Sequence, residues 1–249
     1  HDPSVNAPLF ATVADPQDPG AVAGLIRPGK ENRNLQYLAR RAGQDEQVSE
    51  AYYEVDEQLT FMRPEPDRAD EVRQIAEIRR DFEVDDASVI MTEKGRRFRL
   101  PKGGACYDQP FATGWPRGIR ECESERYLMN LHGTFYEKPR EGGMWKIRPV
   151  ASHHRQIMDF CTWRGLLVLS GTKPTAKPDG QYFRADEVGL WFGAIDDIWK
   201  LGKPVGRGGP WHNTAVTPGQ ASDAYLMNGY DRKRVELSHD ATETVNVTI

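Results

Sequence analysis

Cysteines are few, and long apolar runs and an excess of positive charge are absent, in this sequence of 249 residues. Its longest apolar run is Leu-Leu-Val-Leu at 166–169, far short of the roughly 20 residues that a membrane-spanning helix needs. Acidic residues outnumber basic ones by 37 to 33, whereas a dedicated nucleic-acid-binding domain usually carries a basic excess. We therefore expect neither a membrane span nor a nucleic-acid partner.

The three cysteines are Cys106, Cys122 and Cys161. An odd number at long spacing matches neither a disulfide framework nor a zinc-binding motif. One disulfide with one free thiol, or three reduced cysteines, would both fit the sequence. The first residue is His1 rather than Met, and no signal peptide is recognisable. Together these features favour a processed, exported protein, so we expect a secreted or periplasmic location.

Residues 1–86 are predicted to form an irregular, proline-rich arm with a few regular elements. Prolines and glycines interrupt any periodic pattern up to residue 34. Apolar spacing predicts a short helix over 34–42, and alternation predicts a strand over 50–62. The segment 67–82 has acidic residues in its first turn and apolar residues at helical spacing, which predicts an amphipathic helix.

Residues 87–249 are predicted to be a β-rich domain. Short runs rich in β-branched and aromatic residues alternate there with Gly- and Pro-containing turns, which is typical of an all-β sandwich, barrel or propeller. The predicted strands are 88–92, 96–100, 127–137, 156–160, 165–170, 181–183, 188–194, 225–230, 234–237 and 244–249.

Weak internal similarity favours the propeller among these architectures. Tyr-Leu-Met-Asn occurs at 127–130 and again at 225–228, and Gly-Leu-Leu-Val at 165–168 resembles Gly-Leu-Trp-Phe at 189–192. Two of the three intervals between these starts are close to the roughly 40–50 residues of a four-stranded blade. We expect a mostly β fold of propeller-like repeated antiparallel sheets, which would form an incomplete ring.

The segment 123–137, ESERYLMNLHGTFYE, together with GLWFG at 189–193, resembles uncharacterised β-propeller proteins linked with polysaccharide breakdown. That group is similar in architecture to propeller lyases and glycosidases acting on uronic-acid sugars. The resemblance extends over about residues 96–240 and rests on the pattern of short strands and on a few histidines. It implies a carbohydrate-active protein outside the cytoplasm and transfers no catalytic position.

The segment from Arg148 to Arg155 carries the densest set of reactive side chains. His153 and His154 are adjacent, so in a strand they would point to opposite faces. Arg148 and Arg155 would each suit the carboxylate of an anionic sugar. A neutral histidine could then take the proton alpha to that carboxylate. The alternative is an exposed polar loop.

His132 and Tyr136 form a second candidate pair for proton transfer. Four residues separate them in a predicted strand, so both would face one side. A histidine and a tyrosine together can supply the acid and the base of a β-elimination. The alternative is a hydrogen-bonded structural histidine.

Two acidic residues and several aromatic ones complete the candidates. Asp196 and Asp197 could bind a calcium ion, or one of them could act with Glu137 in glycoside hydrolysis. A solvated turn is the alternative. Trp191, Trp199 and Trp211 could stack on sugar faces, or pack within the fold. His212 ends a glycine-rich loop and could face a cleft.

These observations predict a carbohydrate-active protein that cleaves an acidic polysaccharide by lyase or hydrolase chemistry. His132, Tyr136, His153 and His154 would handle protons; Arg148, Arg155, Trp191, Trp211 and His212 would bind the substrate. The alternative is a non-enzymatic extracellular binding or structural subunit. In that case the last strand, 244–249, would complete its sheet with a partner chain or a second copy.

Overall fold

The computed structural model is mostly β within the residues that it describes, as predicted. These residues form four four-stranded sheets and one α-helix. They are residues 22–42, 47–76, 82–111, 114–115, 117–123, 126–153, 155–171, 182–185 and 188–248.

Sheet 1 is an antiparallel meander with its strands in chain order. Its strands are β1 (Val22–Pro28), β2 (Leu35–Ala42), β3 (Val48–Val55) and β4 (Phe61–Met62). The irregular arm was therefore a wrong prediction for β1, while residues 1–21 lie outside the described residues. The predicted strand over 50–62 is confirmed in part, since a turn divides it between β3 and β4.

The predicted helix over 34–42 is wrong, because these residues form β2. Leu35 and Tyr37 lie in one apolar cluster, whereas Leu38 packs with Tyr52 in another cluster on the opposite face. Because both faces of β2 are buried, apolar residues occupy both its odd-numbered and its even-numbered positions. That removes the alternation expected of a half-buried strand and mimics helical spacing.

Sheets 2, 3 and 4 also have four strands each. Sheet 2 contains β5 (Phe82–Val84), β6 (Val89–Glu93), β7 (Arg96–Leu100) and β16 (Ala224–Tyr225). Sheet 3 contains β8 (Gly118–Glu123), β9 (Arg126–Leu131), β10 (Thr134–Pro139) and β11 (Arg148–Ser152). Sheet 4 contains β12 (Asp159–Trp163), β13 (Leu166–Ser170), β14 (Tyr182–Ala185) and β15 (Val188–Gly193). Every pairing is antiparallel except that of β16 with β7.

Helix α1 (Ala69–Ala76) lies inside the segment predicted to be helical. Asp67 accepts a hydrogen bond from the backbone N–H of Ala69 at 3.4 Å, as an N-terminal cap does. Val72 is buried against sheet 1, so the apolar face is explained by packing. Residues 77–81 lie outside the described part. No described helix has the length and apolar character for crossing a membrane.

The last part of the chain differs from the prediction. Residues 234–237 and the described residues of 244–249 are not in strands, and the side chains of this region are exposed. The alternating pattern there finds no described strand to pair with. An alternating pattern alone does not make a strand, because the backbone must also find a hydrogen-bonding neighbour.

Adjacent sheets share buried cores in the order 2, 3, 4, 1. Sheet 1, from the predicted segment 1–86, therefore packs on sheet 4 of the segment 87–249; the boundary between these segments stays a prediction. Strands β1 and β8 both contact β12. The shared cores include Phe98 with Met129 for sheets 2 and 3, Phe135 with Phe160 for sheets 3 and 4, and Tyr37 with Trp163 for sheets 4 and 1.

The Asp159 carboxylate connects β1, β8 and β12, which are the first strands in sequence of sheets 1, 3 and 4. It lies at the start of β12 and its side chain is fully buried. Nη2 of Arg120 in β8 donates to both carboxylate oxygens at 2.9 and 2.8 Å, and the N–H of Ile26 in β1 donates at 2.9 Å. Burial alone would lower the pKa of Arg120, and the adjacent Asp159 more than reverses this. The contact therefore fixes sheets 1, 3 and 4 relative to each other.

Replacing this carboxylate should destabilise the fold strongly. Asp159→Ala leaves the Arg120 guanidinium buried without its charge partner, and such a loss typically costs about 3–5 kcal/mol. We expect that decrease in the free energy of unfolding, measured by urea denaturation. The matched control is Asp70→Ala, which removes an exposed helix ion pair with Arg73 and should cost less than about 1 kcal/mol. Equal losses in the two variants would contradict this role for Asp159.

Candidate functional site

A shallow depression of about 10 Å³, with room for about one water molecule, lies beside the turn that joins β9 to β10. It is bordered by side chains from sheet 2, sheet 3 and the segment between them. The residues that line it are Val84, Tyr107, Trp115, Arg117, Leu131 and His132.

The turn residues His132 and Gly133 have φ angles of 51° and 78°. Two successive positive φ values make the tight turn that suits a two-residue hairpin. Histidine is among the residues that adopt this region more readily than most. A Cβ atom at Gly133 would lie 2.5 Å from the ring of Tyr107, and one at Gly103 would lie 2.3 Å from the His132 carbonyl oxygen. Two glycines thus allow Tyr107 and the 101–104 segment to approach the turn.

The buried imidazole of His132 is hydrogen-bonded at both nitrogens. Its Nδ1 accepts the backbone N–H of Gly103 at 2.9 Å, and its Nε2 lies 3.1 Å from Oδ1 of Asp108. Since Nδ1 accepts, the ring proton of the neutral form is on Nε2 and is donated to Asp108. Nζ of Lys102 lies 2.7 Å from the same carboxylate oxygen. We call Lys102, Asp108 and His132 the proton-transfer group.

Burial lowers the pKa of His132, and the hydrogen bond and charge of Asp108 offset part of that effect. The imidazole is therefore neutral near pH 7. Asp108 is the most exposed member of the group, with 35% of its side chain accessible. Asp108 does not line the depression, and His132 is the member of the group that does.

His153 is buried close by, on the other side of Tyr107. The Tyr107 ring lies 5.6 Å from the His132 ring and 6.5 Å from the His153 ring, between centroids. Nδ1 of His153 accepts the N–H of Arg155 at 3.1 Å, and its Nε2 lies 2.8 Å from Oδ1 of Asn130. Both predicted histidines therefore gather around one tyrosine, although protein groups occupy all four ring nitrogens.

Arg155 is buried, and its carbonyl oxygen accepts a hydrogen bond of 2.6 Å from Tyr107. Burial raises the pKa of the Tyr107 hydroxyl well above its usual value. The positive charge of Arg155 lowers it by a smaller amount. Tyr107 therefore stays protonated and holds the 155 backbone in place. His154 lies outside the described residues.

Tyr136 and Arg148 are placed elsewhere on sheet 3. The Tyr136 hydroxyl is buried among sheet 2 and sheet 3 side chains, 3.5 Å from the carbonyl oxygen of Pro101 and next to Tyr230. The structure gives Tyr136 no contact with the His132 ring among the described residues. Arg148 is half-exposed and paired with Glu137 at 2.6 Å. The pairing of His132 with Tyr136 is therefore not supported by a contact.

The side chains predicted to stack on or bind a sugar differ in their exposure to solvent. Trp191 is only 1% exposed and lies in the core between sheets 3 and 4, so its faces are covered by protein and the stacking prediction is wrong for it. Trp199, Trp211 and His212 are exposed. The loop that carries Trp211 and His212 comes near the site through Arg207, whose backbone exchanges two hydrogen bonds with Lys102.

Asp197 has two protein partners in the 3-10 helix Ile195–Leu201. Its carboxylate accepts the N–H of Ala194 at 3.0 Å and pairs with Lys200 at 2.5 Å. Within the described ranges, no group of three or more His, Cys, Asp or Glu side chains could hold a metal ion. Calcium at Asp196 and Asp197 stays a prediction. No disulfide joins the three cysteines, all of which are described.

Sequence reasoning missed Lys102, Tyr107 and Asp108. The turn that contains Lys102 was interpreted only as a break between strands, and nothing in its spacing signals an approach to residue 132. The two glycines at 103 and 104 were a usable signal, since adjacent glycines often mark a close approach of backbone to another group. Trp115 and Arg117 were likewise assigned only to a turn.

Comparisons with known proteins provide no relative for this site. No protein-family model, no curated protein and no solved structure gives a significant match to the chain.

The electrostatics of the proton-transfer group lead to a titration experiment. NMR of the imidazole resonances, assigned with His132→Gln, should give a pKa for His132 below its ordinary 6.5. Asp108→Asn should lower it further, because the carboxylate favours the imidazolium. Asp240→Asn, in the exposed C-terminal region, should leave it unchanged.

The same titration predicts the direction of the stability change with pH. The unfolded chain protonates this histidine near 6.5, while the native state stays neutral to lower pH, so the unfolded state binds more protons there. His132 therefore contributes a loss of stability as pH falls below about 6.5. A His132 pKa at or above 6.5 in the folded protein would contradict both expectations.

Proposed function

We propose that this protein cleaves an acidic polysaccharide by β-elimination at the depression beside His132. The observation that carries the proposal is the joined set of Lys102, Asp108 and His132, of which His132 lines the depression together with Trp115 and Arg117. Elimination from a uronic-acid sugar needs an acid and a base, a cation can hold the sugar carboxylate, and an aromatic surface can pack on the sugar ring.

The substrate would be held by the pair Trp115 and Arg117. The Arg117 guanidinium lies 4.8 Å from the Trp115 ring centroid, over its face. An indole packs well against the apolar face of a sugar ring, and a guanidinium binds a carboxylate or a sulfate group. This combination favours an acidic sugar over a neutral one.

The exposed carboxylate of Asp108 would take the proton alpha to the sugar carboxylate. The electron pair of that C–H bond forms the new double bond, and the bond to the leaving glycosidic oxygen breaks. The Lys102 ammonium would give a proton to this oxygen. Asp108 then returns its proton to Lys102 across their 2.7 Å contact, which restores both groups. His132 would orient Asp108 by its hydrogen bond.

Elimination is favoured over hydrolysis by the number of carboxylates. Glycosidases generally use two carboxyl groups on either side of the scissile bond. Asp108 is the one carboxylate that contacts Lys102 or His132 among the described residues. Glu137, the earlier candidate, is paired with Arg148 instead.

The arrangement of the sheets supports a propeller-like fold for this protein. Three of the four sheets are antiparallel throughout, and the first strands of sheets 1, 3 and 4 meet at Asp159. In a propeller the first strand of each blade lies nearest the axis and the sheets pack face to face around it. Shared cores in the order 2, 3, 4, 1 suit a radial arrangement.

A non-enzymatic binding or structural subunit is the second candidate. All four ring nitrogens of His132 and His153 are engaged by protein groups, which is typical of structural histidines. The described C-terminal region also exposes apolar side chains that a partner chain or a second copy would cover. These are Val216, Val235, Leu237, Val245 and Val247.

Product analysis on a panel of uronic-acid polysaccharides tests the enzymatic proposal. We expect ultraviolet-absorbing unsaturated products from the unmodified protein. Asp108→Asn removes the base and should lower kcat by about 10²–10⁴-fold. Lys102→Met should lower kcat while leaving the fold intact by circular dichroism. The control Asp240→Asn alters an exposed carboxylate in the C-terminal region and should keep full activity.

Two results would overturn elimination. Saturated reducing ends without unsaturated ones would indicate hydrolysis, and tight binding without any product would favour the binding subunit. Light scattering tests the second candidate further, since a stable monomer at micromolar concentration counts against assembly through the exposed apolar residues.

A further inference from the structure

A second, larger groove of about 400 Å³ lies on sheet 1, at the end where β1 turns into β2. It is formed by different residues from those of the proton-transfer group. Those that matter for its chemistry are Lys30, Asn34, Gln36, Glu54 and Arg68. Nothing in the proposed cleavage uses this groove.

A chain of hydrogen bonds runs beneath the groove and ends at Glu54. Nε2 of Gln36 donates to the hydroxyl of Tyr52 at 3.0 Å, and that hydroxyl donates to Oε1 of Glu54 at 2.7 Å. Nδ2 of Asn34 donates to Oε2 of Glu54 at 2.8 Å. Burial and the Glu54 carboxylate both raise the pKa of Tyr52, so its hydroxyl keeps its proton. The donors of Asn34 and Tyr52 are therefore directed toward Glu54, and Nε2 of Gln36 also lies 3.5 Å from Oε2 of Glu71.

This network leaves acceptors without donors. Gln36 is 1% exposed, and its Oε1 has no hydrogen-bond partner among the described residues. A carboxylate can accept about four hydrogen bonds, and the two just described occupy one on each oxygen of Glu54. A buried amide oxygen without a donor is costly in a finished fold. A water molecule or a ligand hydroxyl at the groove floor would supply the missing donors.

The rim of the groove is positively charged. Neither Lys30 nor Arg68 pairs with a carboxylate in the part of the chain that the structure describes, whereas Arg33 is paired with Glu31 at 3.2 Å. The lining of the groove thus combines these two cations with amide and carboxylate acceptors. The ligand that satisfies both needs several hydroxyl groups together with one anionic group.

We propose that this groove is an accessory binding site for a sugar unit that carries a carboxylate or a sulfate. Its hydroxyl groups would donate to Glu54 and to the amide oxygens of Asn34 and Gln36, and its anionic group would lie between Lys30 and Arg68. The site is independent of the proposed cleavage and binds without any chemical step.

Titration of the whole isotope-labelled protein with short sugars tests the site. The probes are a sulfated uronic-acid disaccharide, its unsulfated form, a neutral disaccharide and inorganic sulfate. We expect the side-chain amide signals of Asn34 and Gln36 to shift with both acidic disaccharides. Arg68→Gln should weaken this binding at least ten-fold, and so should Glu54→Gln. The control Arg41→Gln, an exposed cation elsewhere on β2, should leave it unchanged.

Several outcomes would overturn the proposal. Shifts of the same size with inorganic sulfate alone would reduce the groove to an anion site, and equal binding of the neutral disaccharide would remove the role of the cations. Unchanged affinity in Arg68→Gln, an exposed and conservative change, would place the ligand elsewhere. Asp108→Asn separates the two proposals, since it should abolish cleavage and leave the Asn34 and Gln36 shifts intact.

Discussion

The relative placement of the sheets depends on the buried Asp159 carboxylate. A lone ionised carboxylate in a protein interior is strongly unfavourable. The folded state is therefore stable only when all the hydrogen-bond donors of Asp159 are in place. Those donors come from β1, β8 and the start of β12, which lie far apart in the sequence. Because the contact is directional, it specifies how the sheets meet, which apolar packing between sheet faces does not by itself determine.

The candidate site depends on a different constraint, the absence of side chains at two positions. Gly133 leaves room for the Tyr107 ring, and Gly103 leaves room for the carbonyl of His132. The N–H of Gly103 then fixes the tautomer of His132, which in turn presents a proton to Asp108. The electrostatics of the group thus follow from backbone geometry, and they do not require a motif with a characteristic spacing.

The fold class and many strand positions could be predicted from the sequence, and their arrangement could not. Glycine or proline at or near the ends of β6, β7, β13 and β15 located these strands in the sequence. β13 is buried on both faces, but its short continuous apolar run still indicates a strand. The same method failed for β2, which is also buried on both faces and whose apolar spacing resembles that of a helix. It also failed at 234–237, where an alternating pattern has no pairing strand in the described structure. Pairing and burial are tertiary properties that local pattern does not contain.

For the site, the sequence identified reactive residue types but not their partners. His132 and His153 do converge, yet around Tyr107, and the sequence pattern paired His132 with Tyr136 because it treated 127–137 as one strand. The hairpin turn at His132 breaks that parity, so Tyr136 points into the core between sheets 2 and 3. Trp191 shows the same limit, since an aromatic residue suited to sugar stacking is equally suited to a core.

Two separate recognition surfaces would suit a polymeric ligand better than a small one. A second site held at a fixed distance raises the apparent affinity for a chain that can reach both, without any new contact at either. The gain is largest when the spacing of the sites matches what the ligand can span. The groove belongs to sheet 1 and the depression to sheets 2 and 3, and the packing that relates them passes through sheet 4 and Asp159. The buried carboxylate would therefore matter to polysaccharide binding without touching the ligand.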